Sequence, residues 1–145
     1  MKTYLDTSAL IKLYIIEDGS VSVDRIISEH ATPLPIWDLH IIEFHNALQL
    51  KVFRKELPEK EALHLSILFK ERKKAGIYYT PELDRTDHTE LCLTYTAFSA
   101  ELGCRSLDIM HVAAATLFKA DRFITFDIRQ AELAGRAGLN AGPLE

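Results

Sequence analysis

The chain has little cysteine, no long apolar run and no excess of positive charge. Its two cysteines, Cys92 and Cys104, are too few for a disulfide framework and fit a reducing compartment. The longest uncharged runs, at residues 91–100 and 109–118, are far shorter than the roughly 20 residues that a membrane span needs. The chain also reaches Asp6 before any signal-peptide core could form. These absences predict a soluble, cytoplasmic protein with no membrane segment.

The charge balance excludes one class of nucleic-acid binder. Lysine and arginine total 17 against 21 aspartates and glutamates, which gives a net charge of −4 at pH 7. A protein held on nucleic acid by positive charge alone is therefore not expected, although a local basic patch stays open. With 145 residues, 48% hydrophobic and 26% charged, the chain is predicted to form one globular domain that spans residues 1–145.

Short apolar segments alternate with helical patterns along the whole chain. We predict strands at residues 3–5, 32–36, 77–80 and 122–126, with room for one more short strand in the tail at 139–145. Helices are predicted at residues 9–14, 20–28, 38–54, 58–74, 86–102, 106–119 and 128–136, with Asp38 as the cap of the third. This order is typical of an α/β fold in which helices cover both faces of a short parallel sheet.

Two of the predicted strands are followed by an aspartate. Asp6 comes after residues 3–5, and Asp127 comes after residues 122–126. In an open parallel sheet the functional crevice lies beyond the carboxyl ends of the strands, so we expect both carboxylates there. Each is equally well explained as the N-cap of the helix that follows it.

Two further acids stand on apolar helices. Glu43 shares a helical stripe with Leu39 and Leu50, and an unpaired carboxylate is costly to bury. It must therefore reach the surface, pair with an arginine or bind a cation. Asp108 is the one charged residue between positions 106 and 118, on a helix that we expect to be central. Its position in the first turn is also explained by the helix dipole alone.

Four carboxylates in one crevice would repel each other and could not all stay ionised without cations. Oxygen ligands with no accompanying cysteine or histidine cluster favour Mg²⁺ or Mn²⁺ over zinc. One or two such ions activate water and neutralise the charge that develops in phosphoryl transfer. The sequence therefore predicts metal-assisted phosphodiester hydrolysis, with cations bound by four carboxylates: Asp6, Glu43, Asp108 and Asp127.

Two other residues near these acids have open interpretations. Arg129 follows Asp127 by two positions and is a candidate for phosphate contact, although a solvated surface position explains it as well. His111 lies on the apolar helix that carries Asp108, and we expect a hydrogen-bonded core histidine there rather than a metal ligand.

The stretches around the four acids resemble the PIN-domain ribonucleases, and most closely the VapC toxins of bacterial and archaeal toxin–antitoxin pairs. The matching stretches are residues 4–14 (YLDTSALIKLY), Glu43, residues 105–115 (RSLDIMHVAAA) and residues 125–130 (TFDIRQ). Each stretch alone is a weak signal, but their order and spacing cover nearly the whole chain.

The resemblance implies a three-layer α/β/α sandwich around a short central parallel sheet. It also implies Mg²⁺- or Mn²⁺-dependent endonuclease activity on RNA, with the four acids as metal-binding and catalytic residues. Ser8 and Thr125 match small hydroxyl residues that would support the site by hydrogen bonding. The expected partners are an RNA substrate, a VapB-like antitoxin and a second copy of the chain in a homodimer.

Two alternatives to a metal-dependent nuclease share some of these features. A phosphatase of the aspartyl-phosphate type also begins with an aspartate at a strand end, but it needs a second aspartate two positions later, where this chain has Ser8. A PIN-like module that binds RNA or an antitoxin without cutting is disfavoured by the four intact acids. The sequence leaves this second alternative open.

Overall fold

Five short strands form the middle layer of the computed structural model, which describes residues 2–29 and 33–142. The strands are β1 (Thr3–Leu5), β2 (Leu34–Pro35), β3 (Tyr78–Tyr79), β4 (Arg122–Ile124) and β5 (Asn140–Gly142). The helices are α1 (Thr7–Ile11), α2 (Ser20–Ser28), α3 (Asp38–Phe53), α4 (Glu59–Lys74), α5 (Arg85–Thr96), α6 (Ser99–Leu102), α7 (Ser106–Leu117) and α8 (Ile128–Arg136). None of the described helices combines the length and the apolarity needed to cross a membrane.

All the strand pairs of the described residues are parallel, as predicted, but the sheet is divided. One part has the order β1-β4-β5 and the other pairs β2 with β3. Strand β2 lies beside β1. On β1, the carbonyl oxygen of Leu5 accepts a hydrogen bond of 2.7 Å from Nε2 of His40. A side chain of α3 therefore donates to a backbone carbonyl of β1 at this edge of the sheet.

Neighbouring residues of the central strands point to opposite faces and enter two separate hydrophobic clusters. Leu5 and Ile124 pack into a cluster with α1, α2, α3 and α4, whereas Tyr4 and Phe123 pack into a cluster with α5, α7 and α8. All four side chains are buried, so both faces of the layer are covered. This arrangement confirms the predicted α/β/α sandwich.

Several predicted boundaries differ from the structure. The predicted helix 86–102 begins one residue earlier, after the cap Asp84, and is interrupted between α5 and α6. The cap of α3 is Trp37 rather than Asp38, which is the first helical residue. Helix α1 covers Thr7–Ile11 rather than residues 9–14, and β4 ends at Ile124 rather than at residue 126.

Two predictions fall partly outside the described residues. The extended piece predicted at 32–36 is represented by β2, and its first residue is not described. The tail holds a strand, β5, that pairs with β4. The remaining tail residues, 143–145, lie outside the described part of the chain.

Candidate active site

A small acidic cavity lies at the carboxyl ends of β1 and β4. It has a volume of about 160 Å³ and is lined by Asp6, Thr7, Ser8, Glu43, Arg105, Asp108, His111, Asp127 and Gln130. The four acids singled out in the sequence therefore border one space, although up to 121 positions separate them. A larger hollow of about 540 Å³ lies beside Asp84, but its acidic residues are exposed and close together in sequence.

Asp6 is the N-cap of α1 and the most buried of the four acids. One carboxylate oxygen accepts from the Ala9 amide at 2.8 Å and from the Ser8 hydroxyl at 2.9 Å. The other accepts from the Thr125 hydroxyl at 2.7 Å. Burial raises the pKa of Asp6, and these donors only partly oppose the increase. Asp6 is therefore a buried carboxylate without a bonded cationic side chain among the described residues.

Thr125 connects Asp6 and Asp127, the first and last of the four acids in sequence order. Its hydroxyl oxygen also accepts from the Asp127 backbone amide at 3.1 Å and lies 2.9 Å from the Gln130 side-chain amide. A hydroxyl has one proton, so when Thr125 donates to Asp6, the Gln130 amide must turn an N–H toward Thr125. Both Ser8 and Thr125 thus hydrogen-bond Asp6.

Glu43 projects from α3 and is held by two side chains of other elements. Its Oε1 atom lies 2.5 Å from Nε2 of His111 and accepts from the Thr7 hydroxyl at 2.8 Å. Burial alone would raise the pKa of Glu43, but the hydrogen bonds from His111 and from the Thr7 hydroxyl lower it. The partner is thus a histidine rather than the arginine that was considered from the sequence.

Asp108 and Asp127 are held by the backbone at the first turns of their own helices. Asp108 accepts from the Arg105 amide at 3.2 Å, and Asp127 accepts from the amides of Arg129 and Gln130 at 2.9 and 3.1 Å. Burial raises the pKa of Asp108, and the neighbouring Asp127 charge adds to the increase, against the opposing amide and charge of Arg105. The cap explanation is therefore correct for the backbone contacts of Asp127, but it does not explain the shared cavity.

Arg105 links these last two acids through loose ion pairs. Its guanidinium lies 3.8 Å from Asp108 and 3.9 Å from Asp127, and the side chain is 80% exposed. Arg129, the candidate for phosphate contact, is exposed and does not line the cavity. Its side-chain role stays a prediction.

Arg105 and His111 line the cavity but were not predicted as site residues. The sequence contains a signal for both, because Arg105, the N-cap of α7, stands three residues before Asp108 and His111 stands three residues after it. That spacing puts the three side chains on neighbouring positions of one helix face. His111 is hydrogen-bonded and buried, as expected, but its partners belong to the site.

The donor set fits a divalent cation bound in part through water. The described cavity lining has four carboxylates and one arginine, and its oxygen atoms are the ligands that Mg²⁺ and Mn²⁺ prefer. No three His, Cys, Asp or Glu side chains of the described residues are close enough to hold one ion together. Mg²⁺ is commonly held by only one or two carboxylates, with water and substrate phosphate as the other ligands. The arrangement therefore fits such an ion better than a fully protein-enclosed metal.

Comparison with solved structures identifies a similar fold. The crystal structure of FitAcB from Neisseria gonorrhoeae matches with a TM-score of 0.64 and 12% sequence identity, over 97% of this chain and 96% of that chain. No protein-family model and no curated protein sequence matches this chain. At this identity the likeness shows the fold, which is a PIN-like three-layer α/β/α sandwich.

Proposed function

We propose that this protein is a Mg²⁺- or Mn²⁺-dependent endoribonuclease that acts as the toxin of a toxin–antitoxin pair. The observation that carries the proposal is the convergence of four carboxylates on one cavity at the strand ends: the N-caps of α1 and α8 and one side chain each of α3 and α7. The PIN-like fold shared with FitAcB supports a PIN-like toxin. The proposed RNA substrate and metal requirement are inferred from the four acids and from the motif resemblance.

Local structure positions each of the four acids to bind a cation. Asp6, Asp108 and Asp127 would provide carboxylate oxygens from the start of a helix, and Glu43 would provide one from the middle of α3. A bound divalent ion would activate water and neutralise charge at the scissile phosphate. The buried hydrogen bonds of Asp6 and Glu43 would keep their oxygens in place, since a fixed dipole needs no reorganisation during the reaction.

Arg105 is the candidate for contact with the RNA backbone. Among the described residues that line the cavity it is the one lysine or arginine. Its exposed guanidinium is only loosely paired, so it is free to form a bidentate contact with a phosphate.

A small antitoxin would block the same acidic cavity with a basic side chain of its own. A homodimer stays a prediction.

The test is an incubation of the purified protein with defined RNAs, with and without Mg²⁺ or Mn²⁺. We expect cleavage with the metal and none in excess EDTA. Asp6→Asn and Asp108→Asn are expected to lower the cleavage rate by more than about 100-fold while circular dichroism stays unchanged. Asp84→Asn is the matched control, because Asp84 caps α5 with an exposed carboxylate outside the cavity. Its cleavage rate should equal that of the wild type.

One observation favours the alternative of a binding module that does not cut. Glu43 is already bonded to His111, and Arg105 lies against Asp108 and Asp127. A module of this kind would retain RNA or antitoxin affinity and yield no products at any Mg²⁺ or Mn²⁺ concentration. That result, or cleavage that persists in excess chelator, would refute the nuclease proposal.

A further inference from the structure

A network of hydrogen bonds runs from the half-buried Trp37 through the buried Tyr4 and His111 to Glu43. The Trp37 indole N–H donates to the Tyr4 hydroxyl at 2.8 Å, and that hydroxyl lies 2.6 Å from Nδ1 of His111. Nε2 of His111 lies 2.5 Å from Oε1 of Glu43. Tyr4 is fully buried and His111 is 3% exposed. This hydrogen-bond network therefore joins the core residues Tyr4 and His111 to the candidate site without passing through solvent.

The donors and acceptors of this network determine where the His111 proton lies. A carboxylate only accepts, so Nε2 of His111 must carry a hydrogen. The Trp37 indole only donates, so the Tyr4 oxygen is its acceptor. The Tyr4 proton then has Nδ1 of His111 as its acceptor, which makes the imidazole neutral. If Nδ1 also carried a proton, the buried Tyr4 hydroxyl hydrogen would lose this acceptor, and a buried unsatisfied donor is costly.

The two carboxylate oxygens of Glu43 differ in their hydrogen bonds. Oε1 receives the His111 N–H and also the Thr7 hydroxyl at 2.8 Å. Among the described residues, no hydrogen-bond donor reaches Oε2 of Glu43. The carboxylate is therefore fixed by one oxygen, and the other is left for a ligand in the cavity.

We propose that His111 is a positioning residue that anchors Oε1 of Glu43 and leaves Oε2 to a divalent cation, with its own tautomer set by Tyr4 and Trp37. The inference rests on the proposed function for the identity of the cation. Histidine and carboxylate partners that orient a metal ligand commonly change metal affinity by about 10- to 100-fold when they are removed. The role differs from simple core packing, because it depends on one N–H and not on the volume of the ring.

The first measurement is the Mn²⁺ dissociation constant of the full-length protein, by calorimetry. We expect His111→Leu, which removes the donor, to weaken Mn²⁺ binding by about 10-fold or more. We expect His111→Gln, whose amide N–H can reach the same oxygen, to stay within about threefold of the wild type. If His111→Leu binds Mn²⁺ as tightly as the wild type, or if both variants lose affinity equally, the proposal is wrong.

A second pair of variants tests the assigned proton positions even where His111→Leu does not fold. Tyr4→Phe removes the hydroxyl that bonds Nδ1 of His111. The control Tyr78→Phe removes a buried hydroxyl, bonded to Tyr14 at 2.7 Å, in the other hydrophobic cluster. In ¹⁵N NMR spectra the wild type and Tyr78→Phe should both show His111 as the neutral tautomer protonated at Nε2. Tyr4→Phe should alter this signal and weaken Mn²⁺ binding, while Tyr78→Phe leaves both unchanged.

These readouts separate the positioning role from the proposed function. A wild-type protein that binds Mn²⁺ and cleaves no RNA would refute the nuclease, and the His111 variants would still decide the positioning role. A wild-type protein that cleaves RNA and has His111 protonated at Nδ1 would refute the positioning role alone. A wild-type protein that binds neither Mn²⁺ nor Mg²⁺ would overturn both.

Discussion

The two halves of the candidate site are built differently. Asp6 and Glu43, the anchored pair, accept hydrogen bonds from side chains of distant elements: Thr125 for the first, Thr7 and His111 for the second. Asp6 also caps α1 through Ser8 and Ala9. Asp108 and Asp127, which we call the capping pair, accept only backbone hydrogen bonds at the starts of α7 and α8, from within three residues, and contact one exposed arginine at 3.8 and 3.9 Å.

This difference separates a preorganised half from an adjustable half. The anchored pair cannot move without breaking buried hydrogen bonds, and leaving such groups unsatisfied costs roughly 1–3 kcal/mol each. The capping pair is oriented by helix starts, and its ion pairs are of the kind that contributes little. We therefore expect ligand binding to rearrange Arg105 and the capping pair rather than the anchored pair.

The largest expected effect is loss of stability in acid, because a histidine behind the anchored pair is buried without a charge partner. His40 donates to the Leu5 carbonyl and lies beside His111 and Tyr4. Burial lowers the pKa of His40 to about 3, against the opposing Leu5 hydrogen bond. The unfolded chain therefore binds this proton near pH 6.5, whereas the folded chain does not. Between pH 7 and pH 4 the free energy of unfolding should fall by about 3 kcal/mol from this group.

Urea denaturation at several pH values, on the wild type and on His40→Gln, isolates this contribution. Asp6 acts in the opposite direction, because its pKa is raised in the folded state and its protonation stabilises the fold as the pH falls. The wild type should lose more stability than His40→Gln between pH 6.5 and pH 4. Identical pH profiles for the two proteins would contradict a buried, neutral His40.

The capping pair was accessible to sequence reasoning because its contacts are local. The limits of α2 and α8 were predicted as the structure has them, and Asp127 caps α8 through its own first turn. The split between α5 and α6 was not predicted, since no glycine or proline marks it. There Tyr95 hydrogen-bonds Thr116 of α7 and Phe98 lies under Arg136 of α8. Contacts with other helices accompany the interruption between α5 and α6. Such tertiary contacts cannot be predicted from the local sequence pattern.

The anchored pair shows the same limit of sequence-based prediction within the candidate site. Its two acids were chosen from the sequence as anomalies, one at a strand end and one on an apolar helix. Their partners were not: Glu43 is 68 residues from His111, and Asp6 is 119 residues from Thr125. Only the fold brings these groups together. The motif resemblance marked Thr125, whereas His111 was assigned to the core alone.

The second-largest expected effect is a loss of stability at the start of α8, where Asp127 of the capping pair lies. Asp127→Ala removes the acceptor of two amides at the start of α8, and loss of an N-cap typically costs about 1 kcal/mol. Asp127→Asn keeps an oxygen that can cap, so its stability should stay within a few tenths of a kcal/mol of the wild type. Thermal unfolding of the two variants measures the difference. Equal destabilisation by both would mean that the charge, and not the cap, holds this end of α8.

The smallest effect is expected for the arginine that joins the capping pair. Arg105→Gln removes an exposed guanidinium, and pairs of this kind are worth about 0–1 kcal/mol. We expect the KM for RNA to rise by about two- to fivefold, and we expect the change to shrink at high salt, because exposed charges are screened. The same variant should raise the pKa of Asp108 further, since the Arg105 charge opposes the effects of burial and of Asp127.

Arg129→Gln is the matched control for this last change, because Arg129 is an exposed arginine outside the cavity. If the capping pair is the adjustable half, Arg105 leaves its two carboxylates and follows the incoming phosphate, and Arg105→Gln then alters KM more than Arg129→Gln does. The reverse order would assign phosphate contact to Arg129, as the sequence suggested. Arg105 would then serve only to limit repulsion between Asp108 and Asp127, and its removal would shift the pKa of Asp108 with little change in KM.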